Sequence, residues 1–245
     1  ALGKTHYYGG LREYQWAGIP LALHGVVALK DGTTVQVKVG EDESDPVFYI
    51  SDLLPHLAAK QNQKPLGNAI EGEQLNIWFG NIPYTAATED DEKTVKNHVL
   101  HLLNDKYGIT EADFMSAELS MVPAFKAKDV GFDRALLGSY GHDDRVCAYP
   151  AWKACLDETS DQHTVMVILA DKEEIGSEGT TGMQSAIFTD LIDELAAAFG
   201  VSAAAVRAHS KCLSADVTAA YDPNYPEVCE KTNSVFLSCG AGMMK

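Results

Sequence analysis

The hydrophobic residues of this chain change period near Leu136, and that change constrains its fold more than any single motif. From about Leu21 to Phe132 apolar and polar residues alternate in short runs, the spacing of strands with one face in a core and the other toward water. Beyond Leu136 they come as unbroken apolar runs and at helical spacing. The first texture predicts a β-rich region. The second predicts alternating helices and buried strands.

In the β-rich region "LALHGVVALKDGTTVQVKVG" alternates on both sides of Asp31-Gly32, a dipeptide suited to the positive φ angles of a tight turn, which predicts a hairpin. "PVFYI" and "QLNIWFG" read as further strands, and "SMVPAFKAKDVGFD" closes the set, with Pro123 pointing to an edge or a bend. Two helices are expected between them. "ISDLLPHLAAKQ" is short and carries Pro55 near its start. "EDDEKTVKNHVLHLLNDKYG" has acids in its first turn, apolar residues at Val95, Val99, Leu102 and Leu103, and Gly108 as its stop. His98 and His101 lie one turn apart there and could pair on a metal, but a packing role accounts for them more simply.

In the second region "RVCAYPAWKACLDE" reads as a helix, "HTVMVILA" as a buried strand, "MQSAIFTDLIDELAAAFG" as a long helix ended by Gly200, and "KCLSADVTAA" as a strand. Strand, helix, strand at this spacing predicts an α/β fold: a mixed, partly parallel sheet with helices on both faces. Ligands of such sheets sit beyond the carboxyl ends of the strands. Glu173 and Glu174, inside "VILADKEEIGSEGTTG", stand at such an end.

Composition excludes several classes. With 245 residues, 46% of them hydrophobic, the chain can bury a substantial core. A net charge of -16 argues against a nucleic-acid partner, which needs clustered Lys and Arg. No apolar run reaches the roughly 18 to 20 residues of a membrane span, and the first residues lack a secretory signal, so a cytoplasmic location is expected. The five cysteines (Cys147, Cys155, Cys212, Cys229 and Cys239) show no zinc-knuckle or redox spacing and are expected to be reduced and mostly buried.

Three acidic clusters fall in the second region: Asp143 and Asp144 in "GSYGHDDRVCAY", Glu173 and Glu174 in "ADKEEIGSEG", and Asp216 in "LSADVTAAYDPNYPE". Helix capping and salt bridges could account for each, with Arg145 an obvious partner. A glycosidase pair is a poor fit, because its carboxylates must face each other across a cleft about 5 to 9 Å wide. Gathered on one edge, the three clusters would concentrate charge that a divalent cation offsets.

"KTHYYGGLREYQW", "GSYGHDDRVCAYPAW", "ILADKEEIGSEGTTGMQS" and "SADVTAAYDPNYPEV", in this order and through essentially the whole chain, resemble the M18 family of metalloaminopeptidases, the group of aspartyl aminopeptidase and vacuolar aminopeptidase I. The resemblance implies a dinuclear metal-dependent aminopeptidase that removes N-terminal residues from peptides. Asp143 then bridges two divalent ions, Glu174 binds one and Asp216 the other; the ions are expected to be zinc, with cobalt or manganese as alternatives. Glu173 becomes the general base. In a regular strand Glu173 and Glu174 would point to opposite faces, so an irregular backbone is expected there, with Gly176 allowing the bend. An irregular, often cis, peptide bond is implied between Asp143 and Asp144.

The resemblance also assigns residues 1–8 to the start of a catalytic domain, 9–136 to an inserted β-rich dimerisation or lid domain, and 137–245 to the remainder of the catalytic domain. It implies peptide substrates and self-association into a dodecamer built from dimers, with Tyr7, Tyr8, Trp16 and Trp78 available for contacts. The family's histidine ligands, one in a His-x-Asp motif before "THYYGG" and one near the carboxyl terminus, have no counterpart here, so the chain resembles the middle portion of a longer protein. His6, His142 and His209 do not fit those ligand motifs and are expected to be structural. Carboxylates alone would hold metal weakly, so this stretch by itself is expected to be inactive, and a non-catalytic assembly or peptide-binding scaffold is the alternative.

Overall fold

A computed structural model describes residues 1–85, 94–159 and 162–243. The chain divides into two compact units, Ala1–Tyr140 and Gly141–Lys245.

The first unit contains β1 (Leu2–Lys4), β2 (Leu21–Ala28), β3 (Thr34–Val39), β4 (Asn76–Trp78), helix α1 (Val95–Tyr107), β5 (Ala117–Pro123), β6 (Lys128–Val130) and β7 (Leu136–Gly138). It holds an antiparallel sheet in the order β3, β2, β5 and two separate antiparallel pairs, β1 with β4 and β6 with β7. The predicted hairpin is present. Leu23 faces Val39 and Ala28 faces Thr34, and Asp31 closes the turn by accepting from the Thr33 amide at 2.9 Å and its hydroxyl at 2.7 Å. Leu21, Leu23, Val27, Val37 and Val39 are buried. Each such side chain contributes about 1.5 to 3 kcal/mol. Pro123 ends β5 on the edge of the sheet, where its missing N–H costs no ladder bond.

Helix α1 starts at Thr94, whose hydroxyl accepts from the Asn97 amide, and stops at Gly108 in the left-handed region at φ 71°. Val95, Val99 and Leu103 are half-buried, but Leu102 is exposed. The acids of its expected first turn, Glu89 to Glu92, lie outside the described residues. The two histidines take packing roles: His98 Nδ1 sits 2.9 Å from the Ile82 carbonyl, and His101 stacks on Tyr84 with ring centroids 4.0 Å apart.

The expected helix over "ISDLLPHLAAKQ" is absent. The segment runs through turns, with the Leu57 amide donating to the Leu54 carbonyl at 2.8 Å, and reaches a short 3-10 turn only at Gln61–Gln63. Pro55 has no N–H to give and drives Leu54 out of helical geometry. Leu53, Leu54 and Leu57 remain exposed, so no packed face compensates for that loss. "PVFYI" likewise joins its neighbours only through single bridges, Phe48 to Leu21 and Ile50 to Ile77.

The second unit contains helices α2 (His142–Asp157), α3 (Ile187–Ala198) and α4 (Ala203–His209). α2 and α3 fall where the apolar spacing placed helices, and Gly200 follows α3 at φ 67°. The two expected strands do not form ladders among the described residues. "HTVMVILA" runs without assigned strand structure, with Val165, Met166, Ile168 and Leu169 exposed, and parallel pairing is confined to one bridge between Ala220 and Val235. A strand needs a neighbour to take up its backbone groups, and an apolar run does not supply one. The cysteines are free but not mostly buried: Cys147, Cys155 and Cys229 are intermediate, and Cys212 and Cys239 are exposed. Among the described residues no helix is long and apolar enough to cross a membrane.

Candidate metal centre

The second unit carries every acid that the sequence singled out. Gly141, at φ 80°, leads into α2, and the first residues after His142 are not helical: Asp143 has φ -82° and ψ 109°, Asp144 φ -117° and ψ 34°. The peptide bond between them is cis, in line with the expectation for this position. Regular helix follows Asp144, so both aspartates stand at its entry, where unpaired amides and the helix dipole favour negative charge.

Asp143 and Asp144 meet Asp216, which lies beyond α4 in an irregular stretch. One carboxylate oxygen from each falls within 4.8 Å of the others. The Oδ1 atom of Asp144 is buried and has no hydrogen-bond partner, whereas Asp216 Oδ1 accepts from the Val217 amide at 2.7 Å. Among the described residues no lysine or arginine forms an ion pair with any of the three. Arg145, the partner that capping and salt bridges would have used, turns instead toward the Gly141 carbonyl at 3.4 Å. Three converging carboxylates with an orphaned buried oxygen and no counter-cation fit a hard divalent ion.

Cys147 stands one turn into α2, three residues after Asp144. Burial pushes its thiol up to about 11, helped by the negative field of Asp144, Asp216 and Asp143. Cys147 therefore stays a neutral thiol at physiological pH. In metal-free protein at pH 8 its alkylation by iodoacetamide should run at least about tenfold slower than that of the exposed Cys212 and Cys239, read by peptide mass spectrometry, because only the thiolate reacts. Equal rates would show that the carboxylates do not act on it.

Glu173 and Glu174 lie on a 3-10 turn, Glu173–Ile175, between Lys172 at φ 69° and Gly176 at φ 83°. This is the irregular backbone expected at the two adjacent acids. The loop is tied to itself. The Ser177 amide donates to the Lys172 carbonyl at 2.8 Å, the Gln184 amide to the Ser177 carbonyl at 3.2 Å, and the Gln184 side-chain amide to the Gly176 carbonyl. At its base the Asp171 amide donates to the Thr181 carbonyl at 3.2 Å, and a hydrogen bond from Lys172 holds the Asp171 carboxyl below the usual carboxylate range.

The structure thus brings Asp143 and Asp216 together and adds Asp144, to which the sequence gave no role. Glu173 and Glu174 are not part of that three-carboxylate group. Among the described residues no histidine joins it either. His6 stacks on Tyr7 and His209 Nδ1 sits 2.8 Å from the Ala205 carbonyl, while His142 begins α2.

Residues 2–245 match the family described as aminopeptidase I zinc metalloprotease (M18). A "Probable M18 family aminopeptidase 1" of Clostridium acetobutylicum is 49% identical over 244 residues, 98% of this chain and 52% of that protein. The crystal structure of an M18 family aminopeptidase from Thermotoga maritima superposes with a TM-score of 0.88 at 40% identity, covering 97% of this chain and 52% of that one. The mApe1 dodecamer of Saccharomyces cerevisiae, at 24% identity and a TM-score of 0.70 over 96% of this chain and 52% of that one, shares the fold. The chain spans about half the length of the curated relatives it matches.

Proposed function

This chain belongs to the M18 family of zinc metalloproteases, and from that premise we propose that it is part of a dinuclear metal-dependent aminopeptidase that hydrolyses N-terminal residues from peptides. The observation that carries the reading is the meeting of Asp143 and Asp216, distant in sequence and, among the described residues, unpaired with any lysine or arginine, at the irregular entry to α2.

Asp143, Asp216 and Glu174 would hold the metal, with Asp143 shared between the two ions. Glu174 lies outside the aspartate group and would join as a ligand from its own turn. When bound, the ions polarise the scissile carbonyl and acidify the attacking water. Glu173, exposed on its turn, takes the water's proton and hands it to the departing amine. The self-bonded loop from Asp171 to Gln184 supports that role by fixing the backbone on both sides of Glu173. Zinc is the expected metal; cobalt and manganese suit the same oxygen donors.

The finer architecture follows from the same family membership. Residues 9–136 form the inserted β-rich dimerisation and lid domain, while 1–8 and 137–245 contribute to the catalytic α/β domain. There the apolar run "HTVMVILA" joins a partly parallel sheet covered by helices on both faces; its exposed side chains and the parallel bridge from Ala220 to Val235 support this. The assembled protein is a cytoplasmic homo-oligomer, a dodecamer built from dimers, acting on peptides.

Metal analysis of the full-length protein tests the reading. Two tightly held divalent ions and peptidase activity abolished by a chelator are expected, and Asp216→Asn should lower metal affinity by at least about tenfold. Metal-free peptide binding without hydrolysis would instead establish a scaffold.

A further inference from the structure

We propose that Gln184 is a positioning residue for Glu173: its side-chain amide, donating to the Gly176 carbonyl, fixes the turn that presents the Glu173 carboxylate. The inference rests on the metallo-aminopeptidase reading, in which Glu173 is the base, and deepens it by a residue outside the metal-binding and proton-transfer set.

The Glu173 side chain is exposed and enters none of the hydrogen bonds that close its loop. As a base it would also lack the hold that metal coordination gives a ligand such as Glu174. The direction of its carboxylate is therefore left to the backbone that carries it, and that backbone is an unfavourable one. Lys172 and Ser177 are not glycine, yet they take φ 69° and 61° on either side of the 3-10 turn, and Gly176 between them takes φ 83°. Left-handed angles disfavour a residue with a Cβ, so such a turn persists only where contacts from outside hold it.

Gln184 supplies two of those contacts. Its backbone amide donates to the Ser177 carbonyl at 3.2 Å, and its side-chain amide donates to the Gly176 carbonyl. The Gly176 amide in turn donates to the Glu173 carbonyl at 2.9 Å, so hydrogen bonds run without a break from Gln184 through Gly176 to Glu173. Gly182 presses on the same turn from the chain just before Gln184. It is buried, and an added Cβ would stand 2.0 Å from the Ser177 carbonyl oxygen and 2.8 Å from that of Glu178. A glutamine suits the position: its amide donates to a carbonyl and places no charge beside two carboxylates.

The test uses the full-length protein with metal held saturating. Gln184→Met keeps the length of the side chain and removes the donor. It should lower kcat about tenfold and leave KM within about twofold, because a displaced base slows proton transfer without altering substrate binding. Hydrogen exchange at the Gly176 and Ser177 amides should quicken about tenfold in the same variant, in metal-free and metal-loaded protein alike. Gly182→Ala, which acts on the turn through Ser177, should reproduce the loss of kcat. In a Glu173→Gln background neither change should lower kcat further.

Unchanged kcat in Gln184→Met, or the same loss with and without the Glu173 carboxylate, would overturn the proposal and leave Gln184 a residue of loop stability alone. A Glu173→Gln variant that turned peptides over as fast as the wild type would refute Glu173 as the base, whatever Gln184 does, and the two failures are therefore distinguishable.

Discussion

Glu173→Gln is expected to lower peptide turnover by about 10²- to 10⁴-fold while the protein keeps its metal, measured by steady-state kinetics beside elemental analysis of the same sample. The amide has the size and shape of the carboxylate and can still hydrogen-bond a water, but it cannot accept the proton that leaves when water attacks. The backbone around it should not move. Glu173 lies inside a loop closed by the Asp171, Thr181, Ser177 and Gln184 bonds, none of which uses its side chain. Glu174→Gln, one residue on, should fail differently, losing metal first and activity as a consequence. Retained turnover in Glu173→Gln would remove Glu173 from the mechanism, and loss of metal would make it a ligand.

The second large effect concerns stability of the first unit. Gly25, at φ 151°, sits in the middle of β2, where β5 crosses so closely that an added Cβ would stand 2.0 Å from the Glu118 carbonyl oxygen and 2.9 Å from the Leu119 Cα. Both neighbours are backbone and cannot rotate aside. Gly25→Ala should therefore force β2 and β5 apart and cost about 2 to 4 kcal/mol, read as a lower urea midpoint of the transition that reports on this unit. Gly67→Ala is the control: nothing lies within 4 Å of its would-be Cβ, and the change should stay within about 0.5 kcal/mol. If Gly25→Ala were equally mild, the close packing of β5 on β2 would not contribute to stability.

Regions where the signal is local were legible in the sequence. Asp31-Gly32 marked a turn because Gly32 takes a positive φ there, at 87°, which few other residues adopt, and the apolar spacing over α2 and α3 defined helices because a helix satisfies its own backbone. The segment "ISDLLPHLAAKQ" misled because its leucines have helical spacing while Pro55 withdraws a bond that only burial could have offset, and Leu53, Leu54 and Leu57 are not buried. "HTVMVILA" misled in another way: its composition states what it can bury, and its neighbours decide whether it pairs.

The same division runs through the candidate centre. Resemblance to the motifs of the M18 family singled out Asp143, Glu173, Glu174 and Asp216 and implied irregular backbone at the aspartate pair, while adjacency alone predicted it at the glutamate pair, because these features are properties of short segments. Only the tertiary structure brought Asp216 to the entry of α2, turned Arg145 away from it, and set Asp144 and the Cys147 thiol beside the same carboxylates. The physical reason is range: backbone angles and helix periodicity are fixed by neighbours a few residues away. Convergence of charges from remote parts of the chain depends on packing that no local stretch encodes.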